Sequence, residues 1–343
     1  MNNAQIPNPD LDARLVLDLM DGFRASKAMF TAVSLGVFDR LHQRPATCQE
    51  LARDLSCNAG ALERILGACT ALGVLSRETE RYHNRPAATR FLRVESPETL
   101  SGYILYSDRV GFRIWTHLED AVREGTHRWE QAFGSSEGIF DHLFSTEREK
   151  QTFLAGMNGH GLLSSPAAVE AFDLSRYTHF VDLGGATGHL VIAACRRYPA
   201  MRGTIFDLAK VTPVSRSHVE RAGMAGRIEI QSGDFFADSL PEADLYAMGR
   251  ILHDWSEDKV KFLLRKIGAR LPDGGGLLIC ERLLNEQRDG PSSAYLQSIN
   301  MLLCTEGKER SPSEYEALVS ESGFRSFAFR RTGQPVDVML AVK

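Results

Sequence analysis

The sequence predicts an α/β protein with a Rossmann-like sheet of seven strands, preceded by an α-helical, winged-helix-like domain. Three observations support this fold class. From residue 178 onward, short apolar strands alternate with helices, which is the pattern of a parallel sheet covered on both faces. A glycine-rich turn, DLGGATG at 182–188, follows the first of these strands. The segment HDW at 253–255 begins 65 residues after Gly188, where a later strand ends.

The first hundred residues, which form a predicted domain at 1–100, suggest helices followed by a short hairpin. Residues 25–41 are apolar enough to bury most of a helix surface, and Thr47 begins a further helix with a capping box. The helix at 59–72 has only two charged groups, whereas a helix that reads DNA needs several cationic or amide side chains. Burial against a second subunit explains this apolar surface better than DNA binding does.

Residues 101–175 are rich in aromatic side chains and predict a helical linker. Most of these side chains belong to the core, but a few should line a pocket, because small-molecule sites favour the junctions between domains. The remainder of the chain, 176–343, is the predicted Rossmann-like catalytic domain. Its strands are predicted at 179–183, 203–207, 228–230, 245–248 and 276–280, with a closing hairpin at 326–330 and 336–342.

The bulk composition is ordinary for a globular protein. A net charge of −4 and a hydrophobic content of 43% give no indication of nucleic-acid binding. No stretch approaches the roughly 20 apolar residues of a membrane span, and the first ten residues do not resemble a signal peptide. The six cysteines form no C-x-x-C pair, which favours reduced thiols over a metal site. We therefore expect a cytoplasmic protein with no metal, no nucleic acid and no membrane partner.

The glycine turn favours a nucleotide-like ligand without phosphates. Its glycines do not match the G-x-G-x-x-G pattern of dinucleotide-binding folds, and no lysine follows the turn as in a Walker loop. Asp207 closes the second strand 23 residues after Gly184, where a carboxylate can accept both ribose hydroxyls. Asp234 and Phe235 follow the third strand and could contact an adenine ring. Together these residues indicate S-adenosylmethionine (SAM), although Asp207 could instead only cap a turn.

Five further segments resemble those of the SAM-dependent methyltransferases of the plant-type small-molecule O-methyltransferase family. The chain is most similar to the acetylserotonin O-methyltransferase branch of that family. The matching segments are TAVSLGVF at 31–38, GDFF at 233–236, RILHDW at 250–255, SINMLL at 298–303 and TEGKER at 305–310. The resemblance covers nearly the whole chain and implies a homodimer with an N-terminal dimerisation domain.

The resemblance also implies roles for individual residues. It makes His253 the catalytic base, flanked by Glu281 and Glu306, although a lone histidine is more often a satisfied core residue. The SAM contacts that it implies are Gly184, Asp207, Asp234, Phe235 and Arg250. The acceptor-pocket residues that it implies are Met157, Asn300, Met301 and Cys304, with Trp115 and Phe140 as further candidates. Tyr177, just before the first strand, could face the sulfonium through a cation–π contact or simply pack at the strand entrance.

The expected reaction is an in-line displacement in which His253 removes a proton from a hydroxyl and the oxyanion attacks the sulfonium methyl. We expect a small-molecule acceptor, an aromatic hydroxyl of a secondary metabolite. There are two alternatives. One is a SAM-consuming enzyme that does not methylate, such as one that cyclises SAM to azetidine-2-carboxylate with release of methylthioadenosine. The other is a SAM-responsive regulator. The chain departs from the family pattern at Ala186, which replaces a glycine, and around Gly161, where a serine is expected.

Overall fold

The computed structural model describes residues 11–134 and 143–343. The chain divides into two compact units, Met1–Asp108 and Arg109–Lys343. Each unit has its own buried apolar core. Within the described ranges, no helix combines the length and the apolar composition that a bilayer span requires.

The first unit is mainly helical, with a small antiparallel sheet in the order β1–β3–β2. Its elements are α1 (Leu11–Ser34), α2 (Val37–Gln43), β1 (Ala46–Thr47), α3 (Cys48–Asp54), α4 (Ala59–Ala71), β2 (Leu75–Glu78), β3 (Arg81–Asn84), α5 (Pro86–Phe91) and α6 (Ser101–Tyr106). The predicted capping box is present, since the Thr47 hydroxyl accepts the Glu50 N–H at 3.2 Å and the Glu50 carboxylate accepts the Thr47 N–H at 2.8 Å. The single helix predicted at 25–41 is wrong, because Gly36 lies in the left-handed region (φ 77°) between α1 and α2.

Helix α1 has an exposed apolar surface along its first half. Leu19 is 73% exposed and Phe23 is 55% exposed. Other large apolar side chains of the same half are also exposed, namely Leu15, Val16, Leu17 and Met20. Near its end the same helix buries Ala32 and Val33 in the core of the unit. Such a dense exposed apolar patch marks a surface that is normally covered by another protein surface.

The second unit confirms the predicted fold class. Its helices are α7 (Phe112–Trp115), α8 (Leu118–Glu124), α9 (Trp129–Phe133), α10 (Glu147–Glu170), α11 (His189–Arg197), α12 (Thr212–Arg221), α13 (Glu257–Arg270), α14 (Ser292–Cys304) and α15 (Pro312–Glu321). Its strands are β4 (His179–Leu183), β5 (Arg202–Asp207), β6 (Ile228–Ser232), β7 (Leu245–Gly249), β8 (Gly276–Glu281), β9 (Ser326–Arg330) and β10 (Asp337–Val342). A π-helical turn at Ser107–Gly111 precedes α7, and a 3₁₀ turn at Leu252–Asp254 follows β7.

The seven strands form one sheet in the order β6–β5–β4–β7–β8–β10–β9. Strands β4 to β8 are parallel to one another. Strand β10 pairs with β8 in the antiparallel direction, and β9 pairs with β10 in the same way. Separate apolar clusters cover the two faces, one with side chains of α13 and α15 and the other with side chains of α10 and α11. The carboxyl ends of the five parallel strands therefore lie along one edge, where ligands bind in sheets of this kind. The residues at or just beyond these ends include Gly184, Asp207, Asp234, Arg250 and Glu281.

Candidate active site

The glycine turn after β4 is held by the carboxylate that ends β5. Asp207 accepts the N–H of Ala186 at 2.8 Å and that of Leu208 at 2.7 Å. Ala186 has φ +47°, a conformation that strains a non-glycine residue, so these bonds help to fix an unusual backbone. Burial raises the pKa of Asp207 to about 6 although the two N–H groups oppose it. The turn-capping role considered for Asp207 is therefore present in the structure, and its carboxylate oxygens can still accept further bonds.

A second carboxylate, Asp182, is buried directly beneath the turn. It is 2% exposed, and its Oδ2 has no hydrogen-bond partner among the residues that the structure describes. Burial and then the nearby Asp207 raise the pKa of Asp182 to about 8. A Cβ at Gly185 would lie 2.9 Å from the Asp182 carboxyl carbon, so only glycine allows the turn to cross this side chain.

The turn after β6 forms the next part of the same edge. Asp234 accepts the Phe236 N–H at 2.8 Å, and Lys266 donates to the carbonyls of Phe235 and Phe236 at 2.9 and 3.0 Å. A Cβ at Gly184 would lie 3.5 Å from the Phe235 ring. The residues predicted to contact SAM at these two turns are therefore neighbours, with Phe235 beside the glycine turn.

His253 lies in the 3₁₀ turn after β7 and is 3% exposed. Its Nδ1 is 2.7 Å from Oε1 of Glu309 and 3.3 Å from Oε2 of Glu281. Glu281 also accepts the backbone N–H groups of Ile251 and Leu252 at 3.0 and 2.9 Å, and so holds the turn that carries the imidazole. Nε2 lies 3.6 Å from Asp254, which is beyond hydrogen-bonding distance. With Nδ1–H donated to Glu309, the lone pair of Nε2 can take up a proton.

The carboxyl groups around His253 all have raised pKa values. Burial, opposed mainly by Arg250, raises the pKa of Glu309 to about 8. Burial, opposed by His253, raises the pKa of Glu281 to about 7, and burial raises that of Asp254 to about 6. Such shifts in a cluster of titratable groups are typical of sites that handle protons.

The expectation that Glu306 flanks His253 is not met, and Glu309 lies there instead. The Glu306 carboxylate is 40% exposed and pairs with Lys259 at 2.6 Å. The reason lies in Gly307, which passes so close to the backbone of the 3₁₀ turn that a Cβ would lie 2.1 Å from the His253 carbonyl oxygen. The chain then turns Glu309 inward. Both glutamates belong to the TEGKER segment, so the sequence pointed to the correct segment but not to the correct residue.

Tyr177 does not lie at the cofactor edge, which corrects its assignment as a cofactor contact. It precedes β4 and is buried, with its hydroxyl 2.7 Å from Arg176 and close to Gly276, the first residue of β8. The glycine turn follows the other end of β4, roughly 16 Å away at about 3.3 Å per residue. The alternative reading, a tyrosine packed at the strand entrance, is the one that the structure supports.

The predicted acceptor residues are divided between two helices. On α14, Met301 and Cys304 are buried, and Asn300 accepts a hydrogen bond from the Trp115 indole at 2.9 Å. Met157 is partly buried on α10. The hydrogen bond between Asn300 and Trp115 brings two of the candidates together but does not involve Met157. Phe140 lies outside the described residues.

Helix α10 contributes polar groups that the sequence reading did not identify as site residues. The His189 ring packs against Gly161, where a Cβ would lie 2.2 Å from it, and the Ser164 hydroxyl donates to the Gly161 carbonyl at 3.3 Å. Ser165, one turn further, is 2.8 Å from Nδ1 of His189. His160 is buried, and its Nε2 is 3.3 Å from Nη2 of Arg282. The sequence signal for His160 was a histidine on a glycine-rich helix, and this pattern does not distinguish a site residue from a core residue.

His253, Glu281 and Glu309 each place one potential ligand atom within 4.8 Å of the others, close enough to hold a cation. Two features favour proton handling over metal binding. The Nδ1 to Glu309 distance of 2.7 Å is that of a hydrogen bond, and Oε1 of Glu281 already accepts three backbone N–H groups.

Comparisons with known proteins agree with this geometry. The model of an O-methyltransferase domain matches residues 115–325, and that of an O-methyltransferase dimerisation domain matches residues 17–94. Acetylserotonin O-methyltransferase of Gallus gallus is 40% identical over 97% of this chain and 99% of its own, and that of Homo sapiens is 37% identical over 96% and 97%. The crystal structure of human N-acetylserotonin methyltransferase in complex with SAM has a TM-score of 0.93 at 36% identity and covers 100% of this chain and 99% of the other. The chain belongs to the O-methyltransferase family.

Proposed function

We propose that this protein transfers the methyl group of SAM to a hydroxyl group of a small molecule, with His253 as the general base. One observation carries the proposal: a buried imidazole, hydrogen-bonded through Nδ1 to Glu309 at 2.7 Å, lies on the same sheet edge as the glycine turn. The human relative named above was crystallised with SAM, which supports SAM as the cofactor here.

The polar groups of this edge fit the chemical groups of SAM. Arg250 has φ +58°, and its Nη1 is buried without a partner in the described part of the chain, so it can receive the carboxylate of the cofactor. Asp207 and Asp234 offer oxygens to the ribose hydroxyls and the adenine amino group, and Phe235 offers a ring face. Gly184 allows the backbone to approach the ligand closely. SAM supplies an electrophilic methyl group on a sulfonium.

Three side chains would manage the proton of the acceptor. His253 removes it at Nε2, and Glu309 stabilises the imidazolium that forms by holding Nδ1–H. Glu281 acts as a positioning residue, because it binds the N–H groups of the turn that carries the base. Holding the two reactants in line would contribute most of the rate.

We propose an aromatic hydroxyl as the acceptor and N-acetylserotonin as the first compound to test, because two relatives above are named for methylating it. The pocket would draw on Met157, Asn300, Met301 and Cys304. A role in secondary metabolism and a cytoplasmic location remain proposals, the latter supported by six free cysteines. We also retain as a proposal the division into a dimerisation domain (1–100), a linker (101–175) and a catalytic domain (176–343).

The proposal is tested by incubating the protein with SAM alone and then with N-acetylserotonin and a panel of phenols, following products by mass spectrometry. S-adenosylhomocysteine that forms only with an acceptor supports methyl transfer. Methylthioadenosine that forms without any acceptor would instead support cyclisation of SAM. The comparisons do not favour that alternative, because the relatives named above are methyltransferases.

The exposed apolar surface of α1 supports a homodimer. We expect the double substitution Leu19→Glu and Phe23→Glu to produce monomers, because it places two charges in a surface that dimerisation would bury. Sedimentation velocity measures the change in mass. Glu substitutions at the exposed positions Arg14 and Asp18 of the same helix (67% and 74% exposed side chains) serve as the control and should leave a dimer. A wild-type protein that sediments as a monomer would refute the proposal.

The raised carboxyl pKa values predict how the stability of the SAM-free protein depends on pH. Burial raises the pKa of Asp182 to about 8, that of Glu309 to about 8 and that of Glu281 to about 7. At neutral pH these groups hold protons when folded and release them when unfolded, so stability must fall as pH rises toward 8. His160, which is buried, and His189, which is partly buried, have lowered pKa values and affect stability only below about pH 6.5. Urea titrations should show a free energy of unfolding that decreases from about pH 6.5 to 8, and a rising one would contradict the shifts.

A further inference from the structure

Arg282 follows Glu281 at the end of β8, and its guanidinium is held from two sides. Nη1 donates to the carbonyl of Ser293 at 3.1 Å. Nη2 is 3.3 Å from Nε2 of His160, which is 5% exposed on helix α10. The side chain of Arg282 is therefore fixed between the start of α14 and a buried imidazole.

The imidazole of His160 must accept this hydrogen bond. A guanidinium has only donors, so Nε2 of His160 must be unprotonated and its proton must lie on Nδ1. Burial and surrounding cationic or ionisable groups lower the pKa of His160 to about 2, which keeps the ring neutral at working pH. The groups that lower the pKa of His160 in addition to burial are Arg250, Arg282, His189 and His253.

The backbone places Arg282 beside Glu309. Leu283 forms a parallel bridge with Arg310, and the Leu284 N–H donates to the Arg310 carbonyl at 3.0 Å. Arg282 and Glu309 immediately precede the two bridged residues, so their backbones run side by side. The charge of Arg282 counters the effect of burial on the Glu309 pKa, together with those of Arg250 and Arg310.

We propose that His160 is a positioning residue for the transfer reaction: it holds Arg282 beside Glu309, and the charge of Arg282 favours the carboxylate form of Glu309, which accepts Nδ1–H of His253. The connection runs from α10 to the base through two side chains. It extends the proposed function, because its effect on turnover depends on His253 being the base.

The first test measures Glu309 directly in the SAM-free protein. NMR of a sample labelled with ¹³C at the glutamate side-chain carboxyl gives the titration midpoint of Glu309, assigned with Glu309→Gln. His160→Phe removes the acceptor and should raise the midpoint by about one unit, since an opposite charge that loses its position no longer favours the carboxylate. His160→Gln retains an acceptor oxygen and should restore the midpoint. An unchanged midpoint in His160→Phe overturns the proposal, whether or not any acceptor is methylated.

The second test uses turnover of SAM with N-acetylserotonin, or with the phenol that reacts best. In His160→Phe the acid limb of kcat/KM should move to higher pH by about one unit, with a loss of about tenfold at pH 7 and recovery at high pH. The KM for SAM should change little. An equal loss at all pH values in both His160 variants would show a packing role and overturn the proposal.

His179 provides the matched control. It is a partly buried histidine with one side-chain hydrogen bond, 2.8 Å to Thr204, at the amino end of β4. His179→Phe should lower stability without moving the Glu309 midpoint or the pH profile. A shift as large as that of His160→Phe would overturn the proposal by showing that any buried histidine has this effect.

Wild-type protein that methylates nothing would refute the proposed function, and the NMR measurement would still decide the role of His160.

Discussion

Replacing His253 by alanine is expected to lower kcat for methyl transfer by about 10²–10⁴-fold, the range in which general bases contribute. Binding of SAM should remain nearly intact, because the imidazole contacts Glu309 and Glu281 and not the glycine turn. Steady-state kinetics and calorimetric titration with SAM measure the two quantities separately. Retained turnover in the variant would remove His253 from the role of base.

Two glutamates three residues apart provide a matched pair for the same prediction. Glu309→Gln removes the charge that supports the imidazolium and should lower kcat by about 10–10²-fold, as the loss of a charged partner of the base does. Glu306→Gln makes the same change on the exposed side chain that pairs with Lys259, and kcat should stay near the wild-type value. Equal losses would mean that the structure has assigned the wrong glutamate to the base.

Replacing Asp207 by alanine is expected to weaken SAM binding by about 30- to 1000-fold. The variant loses the carboxylate proposed for the ribose hydroxyls and leaves the N–H groups of Ala186 and Leu208 without an acceptor. Hydrogen bonds to charged groups contribute about 1.5–3 kcal/mol each, and 1.4 kcal/mol corresponds to about tenfold in affinity. Calorimetry measures the dissociation constant, and thermal unfolding of the SAM-free variant measures the cost to the turn.

Asp244 is the matched control for this substitution. Its carboxylate also accepts two backbone N–H groups, those of Thr178 at 2.8 Å and His179 at 2.9 Å, but at the amino end of the sheet. Asp244→Ala should therefore destabilise the protein by a similar amount and leave SAM affinity unchanged. Equal losses of affinity would show that Asp207 acts on the cofactor only through stability.

The sheet was predictable because its information is local. The strand at 179–183 and the helix that Ser311 begins were both read from short apolar runs and capping residues, and the structure places them within a residue or two. The edge at which the site lies followed from the direction of parallel strands. Gly36 shows the limit of prediction from local patterns. Because the residues on both sides of it are apolar, the sequence predicted one helix where the structure has two.

The individual site residues were less predictable because their positions depend on contacts between distant segments. Glu309 reaches His253 across 56 residues, and its inward direction depends on Gly307 packing against the 3₁₀ turn. His160 and Arg282 are 122 residues apart and meet only when α10 covers the end of β8. The prediction for Tyr177 was wrong for the opposite reason. Tyr177 is near the glycine turn in sequence, but the two lie at opposite ends of β4.

The polar groups at the amino ends of the parallel strands and those at the carboxyl ends differ in whether the chain itself supplies their hydrogen-bond partners. At the amino edge, Asp244 and Arg176 bond to neighbouring backbone and side-chain groups. At the carboxyl edge, Asp182, Arg250 and Glu309 retain buried polar atoms with no partner in the described ranges. We expect a bound cofactor to give some of these atoms a partner, and limited proteolysis of the cofactor-free protein to begin at that edge. Cofactor supply would then also affect the lifetime of the protein.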